Sequence, residues 1–277
     1  MLERKLSAGA SERLAARRRR GRKRAAILLG ILALVLLGTG IWFSWQPSTR
    51  ITNITVSSGD VGVIAHAHEV LSGSFFGILP KNSFFFLPER LVRTRILKEY
   101  PSVAAVSISR TSFNDLAITL HNRTPVARWC GDVYPTPLPV CYLFDTTGLI
   151  YETATSTDAV ANPYLLYTPL GADEQGPIGA HVEIVGQLPA IFDFAREIGT
   201  LGSLVRDIGI RGDEVDLILQ SGTRITYVSG EEMEAYALLQ SAKTELTLGD
   251  GSLEYVDLRF DDKVYVKRNA SPGGGSH

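Results

Sequence analysis

The chain is poor in the residues that build metal and redox centres. Cys130 and Cys141 are its only cysteines, and two ligands do not fill a tetrahedral zinc shell. Common catalytic signatures are missing too: no G-x-S-x-G, P-loop or H-E-x-x-H occurs in the 277 residues. Charge is absent from residues 25–45, a run of 21 (AAILLGILALVLLGTGIWFSW). Basic residues are scarce after it. Residues 1–24 hold ten Lys/Arg against two acids, and the remainder holds 18 against 27, so a tail of net +8 precedes a body of net −9.

At about 1.5 Å per residue a helix over 25–45 crosses the ~30 Å hydrocarbon layer. A cleaved signal peptide has a shorter apolar core, of about 7 to 15 residues, although Gly38, Thr39 and Gly40 offer small residues. A buried core helix fits poorly with so long a charge-free run. We therefore expect a transmembrane anchor with Trp42 and Trp45 at its outer interface. Arg17, Arg18, Arg19, Arg20, Arg22, Lys23 and Arg24 stand just before it, which predicts a cytoplasmic N-terminus and an extracytoplasmic body. Beside a span, the basic run points to anionic lipid rather than to nucleic acid. The inner-membrane reading leaves about 230 residues outside, enough for one large or two small domains.

Both cysteines fall in that outer part, where an oxidising compartment permits a disulfide. They flank GDVYPTPLPV, a proline-rich loop between apolar segments. A bridge there would close a short loop; the alternative is two unpaired buried thiols.

The rest of the chain reads as alternating short elements. A basic tail (1–24) is disordered or loosely helical. After the span come a strand over 51–56, a helix over 61–71 capped by Asp60, a helix from Pro88 to about Glu99, and strands over 103–110 and 116–121. The order is β-α-α-β-β, one sheet with two helices on one face. Residues 75–88 form a loop with five phenylalanines, expected to fill the core beneath the sheet; the sharper alternative is an aromatic patch resting on the membrane. From Pro125 a β-rich region follows. It has strands over 127–129, 141–144, 149–151, 182–185, 205–210, 215–219, 223–228, 253–260 and 263–267, and helices over 188–201 and 231–246. The expected class is therefore α+β. The domains are a tail (1–24), a span (25–45), a small β-α-α-β-β domain (46–124), a β domain (125–268) and a flexible tail (269–277).

Four stretches resemble the FtsQ/DivIB family of bacterial cell-division proteins: 87–110 (LPERLVRTRILKEYPSVAAVSISR), 116–129 (LAITLHNRTPVARW), 142–151 (YLFDTTGLIY) and 253–260 (LEYVDLRF). Their order behind a membrane anchor carries the likeness, which covers most of the chain. The chain departs from the family at Asn122, where an acid is usual, and near residues 111–114, where a proline is common. The resemblance implies that 46–124 is a POTRA domain and that the protein is a non-enzymatic scaffold of septum formation. It implies bitopic partners of the FtsB/DivIC and FtsL type, no cofactor and no small-molecule substrate.

An added strand on a sheet edge would bind such a partner. We place that edge at Tyr255, Val256, Asp257, Leu258, Arg259 and Phe260, with Val256, Leu258 and Phe260 inward and Tyr255, Asp257 and Arg259 outward. Two other classes are weighed. A POTRA-bearing secretion or outer-membrane assembly component should carry several such modules or a barrel. A membrane-anchored extracytoplasmic enzyme needs a convergent polar pocket. The His66/His68 pair stands two apart on a helix and so points to different faces. The acid pairs Glu231/Glu232 and Asp261/Asp262 fall at a helix start and a turn, where acids are expected anyway.

Overall fold

The computed structural model describes residues 3–135, 140–171, 176–260 and 263–269. The chain divides into two units, one running to Tyr100 and including Ala105–His121, the other formed by Pro101–Ala104 and the residues from Asn122 on. Each is described by itself.

The first unit begins with α1 (Glu3–Ser44), a continuous helix that takes in the basic tail. Ala, Leu, Arg and Glu are strong helix formers, which explains why a segment without apolar periodicity still coils. Its stretch Arg22–Ser44 is long and apolar enough to cross a membrane, and none of that apolar window is buried by the rest of the protein. A 3-10 turn (Pro47–Thr49) ends it. Then follow β1 (Asn53–Val56), α2 (Val61–Leu71), a short hairpin of β2 (Ser74–Phe75) and β3 (Leu79–Pro80), α3 (Glu89–Glu99), β4 (Val103–Arg110) and β5 (Asp115–Asn122). Asp60 caps α2 by accepting from the Gly62 and Val63 amides at 2.8 and 3.4 Å. The sheet has the order β1-β5-β4, with β1 parallel to β5. Val63, Ala67 and Leu71 of α2, Val92 and Ile96 of α3, and Ile54, Leu116 and Ile118 of the sheet are buried. These positions recur at helical spacing on the helices and at alternate residues on the strands.

The phenylalanine loop is the main surprise of this unit. Its rings do not fill the core: Phe76 is 98% exposed, Phe85 and Phe86 are exposed, and Phe75 and Phe84 are half-buried. Backbone pairing decides this. Arg50 bridges Ser83, the Ile51 amide donates to Asn82 O at 2.8 Å, and the Phe84 amide donates to Thr49 O at 2.9 Å. The loop is strapped along the chain leaving α1, and the space beneath the sheet is taken by α2 and α3.

The second unit is built on nine strands: β6 (Ala127–Trp129), β7 (Tyr142–Phe144), β8 (Ile150–Thr153), β9 (Leu165–Tyr167), β10 (Val205–Arg211), β11 (Glu214–Leu219), β12 (Arg224–Val228), β13 (Leu253–Phe260) and β14 (Lys263–Arg268). Their order is β14-β13-β12-β11-β10-β9-β6-β7-β8. Helices α4 (Leu188–Gly199) and α5 (Glu232–Ser241) supply the rest of the core. Ile191, Phe194, Ala195 and Ile198 of α4 meet Ile208, Leu217, Ile225, Tyr227 and Val256 in one apolar cluster.

Three elements differ from the expectation. β9 lies between β6 and β10, parallel to both, yet it is only three residues long; a strand so short and so buried carries no alternation to read. Residues 183–185 form a turn and no strand runs over 182–185, because Ala180 and Val182 pair with β8 and the turn before it. α5 ends at Ser241 instead of Leu246, since the chain beyond it folds in to bury Leu246 and Leu248.

Candidate functional site

The sheet of the second unit ends differently on its two sides. At β8 the edge is partly occupied: the Ile150 amide donates to Ala180 O at 2.9 Å, the Gly179 amide donates to Ile150 O at 2.8 Å, and Leu149 bridges His181. At β14 no strand among the described residues takes the outer side.

This corrects the expected position of the edge. Tyr255, Val256, Asp257, Leu258, Arg259 and Phe260 lie on β13, which pairs with β12 on one side and β14 on the other. The last segment folds back as a hairpin and takes the edge for itself. The expected facing holds for Val256 and Leu258, which are buried, and fails for Phe260, which is 49% exposed. It fails for Asp257 as well, which is buried and held by Arg259. The pairing shifts between Asp257 and Phe260, and that irregularity turns Phe260 out of the alternation. Its ring meets Tyr265 of β14 edge-on at 5.0 Å. Tyr265 and Val266 are exposed large side chains, while Val264 packs on the core. Lys267 Nζ reaches Glu254 at 2.8 Å across the hairpin.

Between the end of β13 and α5 lies a groove of about 750 Å³, lined by Glu231, Glu234, Leu238, Leu258 and Phe260, with Tyr227 among its walls. The Tyr227 hydroxyl is buried and has no hydrogen-bond partner among the described residues, and burial raises its pKa.

One row of cross-strand neighbours runs through Gly209, Asp216, Thr226, Asp257 and Tyr265. Thr226 Oγ1 donates to Asp216 at 2.6 Å, and Arg211 reaches both Asp216, at 2.9 Å, and Glu214. Arg259 holds Asp257 through Nε and Nη2 at 3.0 and 2.7 Å and also pairs with Glu214. Hydrogen bonding from Arg259 keeps the Asp257 carboxyl below its usual range, against burial that would raise it. Asp257 and Arg259 are therefore engaged with each other and with Glu214 of β11, while Phe260, Tyr265 and Val266 stay exposed.

The other candidates picked out in the sequence stay apart or serve the fold. Cys130 and Cys141 form a disulfide, Cα–Cα 4.1 Å, that joins the end of β6 to the start of β7. His66 Nδ1 lies 2.8 Å from Gly62 O, and His68 is exposed on another face of α2. Asp261 and Asp262 lie outside the described residues. No group of three or more His, Cys, Asp or Glu able to hold a metal occurs among the described residues. Ser107 Oγ lies 3.2 Å from His121, but the pair is exposed.

A buried ion pair links two of the stretches that stand out in the sequence. Arg123 donates to Asp145 through Nη1 and to Pro101 O through Nε at 2.8 Å. Asp145 also accepts from the Thr147 amide and hydroxyl at 2.8 and 2.6 Å. Burial alone would raise the Asp145 pKa; the bonds from Thr147 and Arg123 outweigh it and hold it below the usual range. Arg123 and Asp145 lie in the stretches 116–129 and 142–151, which the sequence singles out, but the sequence does not show that they pair. The chain matches no known family model, and no curated protein matches it.

Proposed function

We propose that this protein is a non-enzymatic, single-pass scaffold of the bacterial division machinery, of the FtsQ/DivIB kind. Its N-terminus faces the cytoplasm, α1 is the inner-membrane anchor, residues 46–124 act as a POTRA domain, and residues 125–268 recruit partners outside the membrane. The observation that carries this reading is the edge at β14, open among the described residues. A six-residue strand with exposed Tyr265 and Val266 presents backbone N–H and C=O groups along its outer side, next to a groove between β13 and α5. An edge of this kind accepts a strand, and neighbouring side chains select it. The partner is a bitopic coiled-coil protein of the FtsB/DivIC type, with FtsL.

The test is photocrosslinking in growing cells from a benzophenone residue at position 265 of the full chain. We expect a small bitopic division protein as the adduct. Val266→Asp, at an exposed site, should cut that adduct about tenfold or more, the effect of roughly 1.4 kcal/mol, without changing the protein's abundance. An adduct that survives Val266→Asp at full yield moves the interface off β14. An adduct containing no division protein removes the family reading.

A further inference from the structure

Within the first unit, exposed aromatic and apolar side chains collect around the end of α1. Phe76 and Ile78 sit on the β2–β3 turn, Phe85 and Phe86 on the segment that follows, Phe43 in the last turn of α1 and Trp45 just after it. Their mutual placement is fixed by bonds. Trp45 Nε1 donates to Ile78 O at 2.7 Å, and the Phe43 and Phe85 rings lie 6.2 Å apart. The height of this cluster follows from the helix. The uncharged run 25–45 spans about 31 Å at 1.5 Å per residue, which is one hydrocarbon thickness. Phe43 and Trp45 then lie at the outer boundary, and whatever touches them lies there too.

The turn places a non-glycine residue in a conformation that L side chains seldom adopt. Phe76 has φ +51°, a left-handed conformation that β-turns usually give to Gly, Asn or Asp. It is followed by Gly77 at φ +73°, and the Ile78 amide closes the turn on Phe75 O at 3.0 Å. The result holds a phenyl ring 98% exposed at the tip. Two cations stand among the rings. The Arg50 guanidinium lies 4.8 Å from the Trp45 ring with Nε buried and, among the described residues, without a hydrogen-bond partner, and Lys81 Nζ lies 5.9 Å from the Phe75 ring. Among the described residues neither has a carboxylate partner. Aromatic rings mixed with unpaired cations match the glycerol–phosphate layer, where rings keep one end dry and phosphates supply the counter-charge.

We infer that the β2–β3 turn and residues 85–86 form a second membrane contact, inserting Phe76 and its neighbours into the outer-leaflet interface of a phospholipid bilayer with Arg50 and Lys81 on lipid phosphates. The inference rests on α1 spanning the membrane. Such a contact holds the first unit down on the lipid surface and removes the swivel that a single helical tether would allow.

The test uses the full chain, with Cys130 and Cys141 left oxidised, in vesicles of phosphatidylethanolamine and phosphatidylglycerol. Single cysteines replace Leu34 in the span, Phe76 at the turn, Phe86 beside it, and Val61, an exposed apolar control at the start of α2. Each carries an environment-sensitive fluorophore read with nitroxide-labelled lipid and with aqueous iodide. We expect labels at 34, 76 and 86 to be quenched by the lipid probe and spared by iodide, and the label at 61 to show the reverse. A label at 34 in lipid with those at 76 and 86 open to iodide overturns the second contact and leaves the anchor standing. Labels at 76 and 86 shielded from both probes replace the lipid by a protein contact. A label at 34 open to iodide removes the anchor and the inference with it.

Discussion

Arg123 and Asp145 show how much of the second unit hangs on single charges. Both side chains are largely buried, and each satisfies backbone or hydroxyl groups besides its partner. Arg123→Ala should cost about 2 kcal/mol, the order expected for hydrogen bonds to a charged group, seen as a lower urea midpoint. Arg123→Lys should restore little of it, because one ammonium cannot serve Pro101 O and the carboxylate in the same fork. The pH dependence has a definite sign. Asp145 is held below its usual range, so its contribution is complete above the unfolded pKa and disappears as pH falls through the lower, folded one. Acid titration of stability should therefore lose a step in Arg123→Ala relative to the parent, and an unchanged acid profile would disprove the coupling. Beside Asp145, Gly148 adopts φ +83°, and a Cβ there would stand 2.7 Å from Val182 O, so this turn admits no other residue without moving the backbone.

At the scale of elements, β6 and β7 are three residues each and are joined by a long connection. Pairs this short hold poorly by backbone bonds alone. The Cys130–Cys141 bridge closes the connection at its base, a sequence separation of 11. In the chain-entropy model that contributes about 3 kcal/mol. Cys130→Ser with Cys141→Ser should reduce stability by that order, and reduction of the parent should reproduce the loss; a loss under 1 kcal/mol, about a tenth of a small domain's margin, would mean that β6 and β7 hold without it. The same scale explains the displaced edge. The run 253–260 alternates well enough to be read as a strand, but alternation does not say how many neighbours it has. The hairpin to β14 decided that, and it left Tyr265 and Val266 as the contacts to test.

For the whole molecule, the proposed topology rests on the asymmetry of charge about the apolar run. Ten basic residues precede it and an acidic body follows. Protease added outside spheroplasts should digest the body and spare an epitope placed ahead of residue 3; an epitope digested from outside would invert the orientation.

The helix long and apolar enough to cross a membrane, α2 with its Asp60 cap, α3 and α4 were legible along the chain. Each depends on neighbours within a few residues: a charge-free run as long as a bilayer, an Asx cap, an apolar stripe every three or four positions. The pairing of Arg123 with Asp145, the central place of β9, the passage of the edge from β13 to β14, and the outward turn of the phenylalanines were settled only by tertiary structure. All four depend on which distant segments supply backbone partners. Local periodicity shows that a residue is apolar and how it alternates, whereas strand order and the strapping of residues 82–84 onto 49–51 determine what it faces.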